Sequence, residues 1–400
     1  MGKYLILGSG ISGCTAAEAL AKQGHAVALL EAGNRLGGAI WDYACKATTE
    51  CSRCGVCVAH TQVYQAVKHA QVTTFAAASI QSVTNDGKQL TVSVRRKNPS
   101  IAYPRCRACD QCVRVCPEQC IMKLQRGELV QYLIDYAKCR LHRGQTCTAC
   151  ADACSAQAIF AETATTDMTL TVDAALIATG HAPYDATQKV RLGYGRLENV
   201  LTGLEAEKIL NRQTYLRHPA DNIAFIQCVG SRDPHIGRNY CSSVCCAYAL
   251  RLARIMKHRS AATQVTIYYI DLQNFDKTFT LFRKSVEDSG VRFVRGIPLA
   301  VEQAQSGKLQ LRVENADGGE TIAAHDLVVL SVGLGPTPQA ENVAALFGLQ
   351  RDEFGFLASA SPNVFVSGTC QEPLSIPDSM AAARAIAFEM GTPENYKDCI

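Results

Sequence analysis

The chain opens as short apolar runs broken by glycine. Lys3 to Leu7 is apolar after its first residue and predicts a buried strand. Gly8-Ser9-Gly10-Ile11-Ser12-Gly13 breaks the run. Cys14 to Gln23 then has helical composition up to Gly24, and Ala26 to Leu30 reads as a second strand ending at Glu31. A G-x-G-x-x-G run between a strand and a helix is the dinucleotide-binding pattern, because its glycines let the backbone approach a pyrophosphate at a helix N-terminus. Glu31, eighteen residues past Gly13, is placed to bind a ribose hydroxyl. The competing reading is a tight turn with no ligand.

The same texture returns downstream. Ile223 to Gln227 and Gln264 to Ile270 read as strands, with Ala247 to Lys257 helical between them. Arg292 to Val294 and Leu327 to Val332 could complete a second unit. Its first turn, Cys228-Val229-Gly230-Ser231-Arg232-Asp233, has one glycine where three would be needed. The topology is expected to survive there without the phosphate cradle, so a nicotinamide site of the usual kind is expected to be lost. A last helical stretch runs from Ser379 to Met390.

Composition narrows the class. The 400 residues exceed one usual core, so two or three domains are expected. With 48% hydrophobic and 19% charged residues the chain is foldable, and a net charge of +4 points to neither nucleic acid nor an anionic membrane surface. No apolar run is long enough to span a bilayer, and the N-terminus does not read as a signal peptide. The unusual quantity is 20 cysteines. Disulfide frameworks belong to short secreted chains, which leaves iron or zinc.

Spacing separates those two. Cys106-x2-Cys109-x2-Cys112-x3-Cys116-Pro117 is the bacterial ferredoxin run, in which three thiolates face one cubane and the fourth serves the other. A zinc ribbon would use two separated C-x2-C knuckles. Cys139-x7-Cys147-x2-Cys150-x3-Cys154 repeats the run with an enlarged first gap and Ser155 in place of proline. On that logic Cys106, Cys109, Cys112 and Cys154 hold one [4Fe–4S] cluster, and Cys139, Cys147, Cys150 and Cys116 hold a second. The strand-like Ile121 and Ile159 follow the two runs, inside a module inserted from about Pro104 to Ile159. Cys45-x5-Cys51-x2-Cys54-x2-Cys57 suits a third cluster, with zinc or a redox-active dithiol as competitors. Cys228-x12-Cys241-x3-Cys245-Cys246 suits a fourth. There, adjacent cysteines point apart, so ligation by both needs an unusual loop; core thiols, or one cluster sharing ligands from both groups, are the alternatives. Cys14, Cys120, Cys370 and Cys399 are left as ordinary small residues. No acid–base constellation is evident, and His60, His142, His181 and His235 read as surface or loop residues.

Two resemblances follow from these motifs. Glu31-Ala32-Gly33-Asn34-Arg35-Leu36-Gly37-Gly38 resembles the extended fingerprint of two-dinucleotide-domain flavoproteins, whose paired glycines lie beside the FAD pyrophosphate. Ala178-Thr179-Gly180 and Val364-Phe365-Val366-Ser367-Gly368-Thr369 resemble their later flavin-side strand ends, with Thr369-Cys370 in place of the usual acid. The chain as a whole resembles the flavoprotein A subunits of heterodisulfide reductases and their bacterial relatives. That likeness is carried by Ile223 to Asp233, Tyr240 to Cys246, Thr266 to Asp271, Gly290 to Phe293, Cys139-Arg140-Leu141 and Ile376-Pro377-Asp378-Ser379.

The resemblance implies an α/β, thioredoxin-reductase-like flavoprotein of two dinucleotide-binding domains with an inserted 2[4Fe–4S] ferredoxin module. The FAD domain would comprise 1–100, 161–215 and 331–400, the inserted module 101–160, and a degenerate NAD-binding-like domain 216–330. FAD would meet Gly8, Gly10, Ile11, Ser12, Gly13, Glu31, Ala32, Arg35, Gly37, Gly38, Ala178, Thr179, Gly180, Gly368, Thr369 and Ile376. Lys277 matches a family lysine close to the flavin, unless it is simply solvated. The resemblance further implies a cytoplasmic, oligomeric electron-transfer subunit that splits or merges electron pairs at FAD. Its partners would be heterodisulfide-reductase B-like and C-like iron–sulfur subunits, or a membrane quinone-interacting subunit linked to adenylylsulfate reductase. An NAD(P)H-linked iron–sulfur flavin reductase and a flavin-free iron–sulfur sensor are the rival readings.

Overall fold

Two parallel five-stranded sheets are built to one blueprint. In the first, the order is Val364–Val366, Ala174–Ile177, Lys3–Leu7, Ala26–Leu30, Val72–Phe75. In the second it is Val200–Thr202, Leu327–Val332, Asn222–Val229, Gln264–Tyr269, Val291–Arg295. Leu327–Val332 is buried at every position, which is why a central parallel strand reads as a continuous apolar run. Each unit adds a three-stranded antiparallel sheet. The first uses Ala78–Asn85, Leu90–Lys97 and Thr165–Val172; the second uses Pro298–Gln303, Leu309–Glu314 and Glu320–His325. Leu309–Glu314 alternates buried and exposed residues, as a strand covered on one face should. This computed structural model describes residues 1–211, 220–273, 277–314 and 319–392.

Element ends differ from the sequence expectation in informative ways. The first helix is Ile11–Lys22, starting three residues before the expected Cys14, so Ser12 and Gly13 belong to its first turn. Gly13 can sit there because a Cβ at that position would lie 1.9 Å from the Gly8 carbonyl oxygen. The helix of the second unit is Cys245–Arg259, two residues longer at each end than expected. Cys245 and Cys246 therefore occupy a helical first turn, where neighbouring side chains diverge by about 100°. The closing helix, Ile376–Gly391, starts three residues before Ser379 because Ser375 caps it by accepting from the Asp378 N–H.

The cysteine-rich segment leaves the first antiparallel sheet after Lys97 and returns at Thr165, residues that pair with each other. Asn98 closes this neck: its N–H donates to Ala164 O at 2.9 Å, and its amide donates to Thr163 O and Thr166 Oγ1. Inside, Ser100–Ile101 pairs with Ile159–Phe160, and Ile121–Arg126 pairs with Leu129–Ile134 as a hairpin. Short helices, Gln111–Val115 and Ala149–Asp152, carry the third cysteine of each run. Ile121, Leu129, Tyr132 and Ile134 share one apolar cluster with Leu36, Trp41, Val63 and Val67. The insert is thus packed into the first unit's core. Among the described residues, no helix is long and apolar enough to cross a membrane.

Candidate functional site

The first strand–helix turn is built for a backbone-bound anion. Gly8 has φ +103°, and a Cβ there would meet the Ala178 carbonyl oxygen at 2.3 Å, so the turn and the Ala178-Thr179-Gly180 strand end are in contact. Gly10 caps the helix with no side-chain hydrogen bond, and open space lies where its Cβ would be. The first-turn N–H groups of this helix therefore have no side-chain cap and face a clear approach, the requirement for a pyrophosphate seat. Gly38, at φ +55°, packs against Gly10, and Gly37 N–H donates to Ser9 O at 2.9 Å. Gly368 lies against Ser12, and Gly180 against Thr369. The buried hydroxyls of Thr179 and Ser367 have no hydrogen-bond partner. These glycines, strand ends and orphan hydroxyls fit FAD.

Glu31 ends the second strand beside this turn. Its Oε2 accepts from Ser9 N–H at 3.0 Å and Ser9 Oγ at 2.6 Å, and its Oε1 accepts from Gly33 N–H at 2.8 Å. Ala32 is exposed next to it, and Arg35 pairs with Asp42 at 3.0 Å. The insert holds the following residues. The fully buried Gln131 amide accepts from Leu36 N–H at 2.8 Å and donates to Leu36 O at 2.9 Å. Arg126 donates to Tyr43 O and Trp41 O, and Asn34 donates to Ile134 O. Sequence reasoning missed Gln131, since nothing in a lone buried glutamine signals a backbone clamp 95 residues away.

The thiols gather in sets. Burial pushes Cys112 up to about 11, with Cys106 and Cys109 adding to it, while burial first and then Cys154 and Cys109 raise Cys106. Burial pushes Cys150 up to about 12, reinforced by Cys139, Cys147 and Cys116. Cys106, Cys109, Cys112 and Cys154 thus lie near one another, as do Cys116, Cys139, Cys147 and Cys150. Ala158 N–H points at Cys154 Sγ at 3.3 Å, and Lys68 reaches Cys106 O at 2.6 Å. Cys120, expected to be an ordinary small residue, has its Sγ 3.4 Å from Cys116 Sγ. Among the described residues, no three His, Cys, Asp or Glu side chains already close round one point as metal ligands. The donor sets, soft thiols with backbone N–H groups beside them, fit iron–sulfur clusters.

The other two groups lie at the starts of two different helices. Cys51 and Cys54 precede helix Val56–Lys68, Cys57 lies in its first turn, and Cys45 lies between Ala44 and Lys46. Lys46 forms a buried ion pair with Glu207, which also accepts from Ala44 N–H at 2.8 Å. Gly55 packs on Ile376 at the start of the closing helix. Arg251 Nε donates to Ser52 O at 3.1 Å, and Arg254 pairs with Glu50 at 3.7 Å. Both arginines belong to helix Cys245–Arg259, whose first turn carries Cys245 and Cys246. Cys228 is pushed up to about 11 by burial and by Cys246, with Arg232 opposing and Cys241 adding. Cys246 is drawn down to about 7 by a hydrogen bond from Cys245, against its burial.

The second unit's turn differs at its one glycine. A Cβ on Gly230 would lie 2.0 Å from the Tyr184 ring, and the Arg238 guanidinium covers that ring at 5.0 Å. Cys228 itself has φ +58°. A cavity of about 490 Å³ opens beside Cys228, lined by Gln227, Ser231, Lys189 and Arg232, and both amide atoms of buried Gln227 lack partners. Lys277 is exposed in the turn before helix Phe279–Asp288; residues 274–276 next to it lie outside the described residues, as does Cys399. His181, expected on the surface or in a loop, lies in the loop after Gly180, bonds Thr369 Oγ1 at 2.9 Å, and is held down to about 4 by burial. Only its place just after Gly180 could have signalled that. His60, also expected on the surface or in a loop, is half-buried within helix Val56–Lys68, with its Nε2 buried.

The fold and this cradle define a flavin-type dinucleotide oxidoreductase. The chain belongs to the pyridine nucleotide-disulphide oxidoreductase family, whose pattern matches residues 2–387. It is similar to the A subunit of the H(2):CoB-CoM heterodisulfide,ferredoxin reductase of Methanothermobacter marburgensis, 31% identical over 426 aligned positions covering 98% of this chain and 64% of that protein. The iron-sulfur A subunit of the CoB–CoM heterodisulfide reductase of Methanocaldococcus jannaschii is also 31% identical, over 97% of this chain and 64% of its own length. The chain thus spans under two thirds of these curated relatives. In fold it is similar to the thioredoxin reductase of T. acidophilum, with TM-score 0.53, 12% identity, and coverage of 98% of this chain and 97% of that one.

Proposed function

We propose that this chain is the FAD- and [4Fe–4S]-bearing electron-transfer part of a heterodisulfide-reductase-like assembly in the cytoplasm. The observation that carries the reading is the clamp around the Cys51–Cys57 turn. One side of that turn packs on Ile376 beside the cradle, and the other is held by Arg251 and Arg254 of the helix that starts with Cys245 and Cys246. The segment bearing one four-thiol group is thereby tied to the helix that begins with two thiols of the other. The insert, with two further sets, grips the fingerprint through Gln131.

Bound there, FAD would supply exchange of electron pairs and single electrons, and the cubanes exchange of single electrons. The residues' own work is to hold these groups in line. The uncapped first helix seats the pyrophosphate, Glu31 the ribose, and Lys46–Glu207 fixes the Cys45 strand of the loop. Arg232, paired with Asp271, sets positive charge beside Cys228. Lys277 is the candidate flavin-side lysine. The B-like and C-like iron–sulfur subunits, or a quinone-interacting membrane subunit, are the partners proposed for the whole protein. Tyr184 over Gly230 disfavours direct reduction by a nicotinamide.

Iron and acid-labile sulfide per FAD on anaerobically purified chain test this reading. Four cubanes give about 16 iron atoms per flavin. About 8 would leave only the inserted sets loaded and remove the two groups beside the cradle. Absence of flavin, or flavin bleaching by NADPH in the isolated chain, would overturn the assignment.

A further inference from the structure

The two cysteine runs of the insert end in the same turn. Gln119 N–H donates to Cys116 O at 3.1 Å, and Gln157 N–H donates to Cys154 O at 2.8 Å. Both glutamines have φ +48°. The residue after each, one before its strand, is buried: Cys120 at 4% exposure and Ala158 at 1%. A methyl group fills this position in one half, so packing alone does not require a thiol in the other.

The thiol that is there is aimed at a ligand position. Cys120 Sγ lies 3.4 Å from Cys116 Sγ. Two thiolates bound to one tetrahedral metal, at about 2.3 Å each, are about 3.8 Å apart. The pair therefore has the separation of two sulfurs able to reach one iron. Cys120 also faces Cys139, another member of the same set. Its backbone is tied to that residue through Asp135, whose N–H donates to Cys120 O at 2.8 Å and whose carbonyl accepts from Cys139 N–H at 3.1 Å.

We propose that Cys120 is a reserve ligand of the cluster held by Cys116, Cys139, Cys147 and Cys150, able to replace Cys116 on its iron. The proposal rests on the reading that the insert holds two cubanes. The half with Ala158 has no such reserve, so the two clusters respond differently to loss of the equivalent cysteine.

The test compares anaerobically purified variants by iron and sulfide per chain and by the electron paramagnetic resonance of the reduced clusters, with FAD per chain as the folding control. Cys116→Ala is expected to keep the parent's iron with a shifted cluster signal. Cys116→Ala/Cys120→Ala is expected to lose about four iron atoms, as is Cys154→Ala alone. Equal loss from Cys116→Ala and the double variant would overturn the proposal, and so would full retention by the double variant. If Cys116→Ala fails to fold, Cys154→Ala/Ala158→Cys decides. Iron restored over Cys154→Ala supports the reserve geometry, and no restoration overturns it. A parent chain whose insert carries no iron would instead overturn the reading beneath it, and the inference with it.

Discussion

The first and second nucleotide units share the order and direction of four of their five strands and an appended antiparallel sheet, yet their central turns do opposite things. At Gly8–Gly13 three glycines bring strand, helix and neighbouring strand end together and leave the helix start open. At Cys228–Asp233 the single glycine is covered by the Tyr184 ring, and a cysteine stands in a left-handed conformation where the chain leaves the strand. Topology is set by strand burial and pairing. Ligand chemistry is set by a handful of side chains at the turn. A unit can therefore keep its sheet while exchanging a phosphate seat for a thiol site.

The largest way to break the comparison is to close the first turn. Gly13→Ala puts a methyl 1.9 Å from a backbone oxygen, so the strand–helix contact must open. We expect FAD content below a tenth of the parent's and a loss of stability above ~3 kcal/mol, read by denaturation of the apo chain. Gly10→Ala is its counterpart. Nothing lies within 4 Å of that Cβ, so stability should change by under ~1 kcal/mol while flavin affinity falls at least about tenfold. Equal stability losses in the two variants would refute the open-seat assignment.

Next comes the second turn. Gly230→Ala collides with Tyr184 and demands φ +78° from a residue with a side chain, for an expected cost of about 2–4 kcal/mol. Adding Tyr184→Ala should recover part of it. NADPH should still leave the flavin oxidised, because one ring removed does not restore the missing glycines. Bleaching by NADPH in the double variant would show that Tyr184 alone separates the two turns.

Gln131→Leu tests the link between insert and first unit. It strands the N–H and carbonyl of Leu36 in a buried site, at about 2–4 kcal/mol. Flavin should be lost on gel filtration more readily, with the second unit's hydrogen exchange unchanged. A change confined to the second unit would contradict the clamp.

The smallest effect is acid sensitivity. Burial holds His325 down to about 4, with Tyr268 and Asn222 on its two ring nitrogens. The unfolded chain, near 6.5, binds the proton first, so the stabilisation is complete above about pH 6.5 and is lost as pH falls toward 4. The full span is roughly 3 kcal/mol. His325→Gln should flatten that part of the stability–pH curve. An unchanged slope would mean that other groups, among them His181 and His60, which burial also holds down, govern it.

The sequence by itself determined what depends on local pattern. Apolar runs and glycine spacing marked the first strand, turn and second strand, and the single glycine at Gly230 marked the altered second turn. The cysteine spacings grouped the insert's thiols, because a ligand loop of two or three residues leaves little freedom in which sulfurs face one another. Tertiary structure alone decided the rest. The helix start at Ile11 depended on the close approach of Gly13 to Gly8, and that at Ile376 on the Ser375 cap, neither of which spacing reveals. Gln131 on Leu36, Tyr184 on Gly230, Gly55 on Ile376 and Cys120 beside Cys116 are contacts between surfaces brought together by folding. Such contacts carry no periodicity, since a side chain's partner across the core is fixed by packing geometry and not by its distance along the chain.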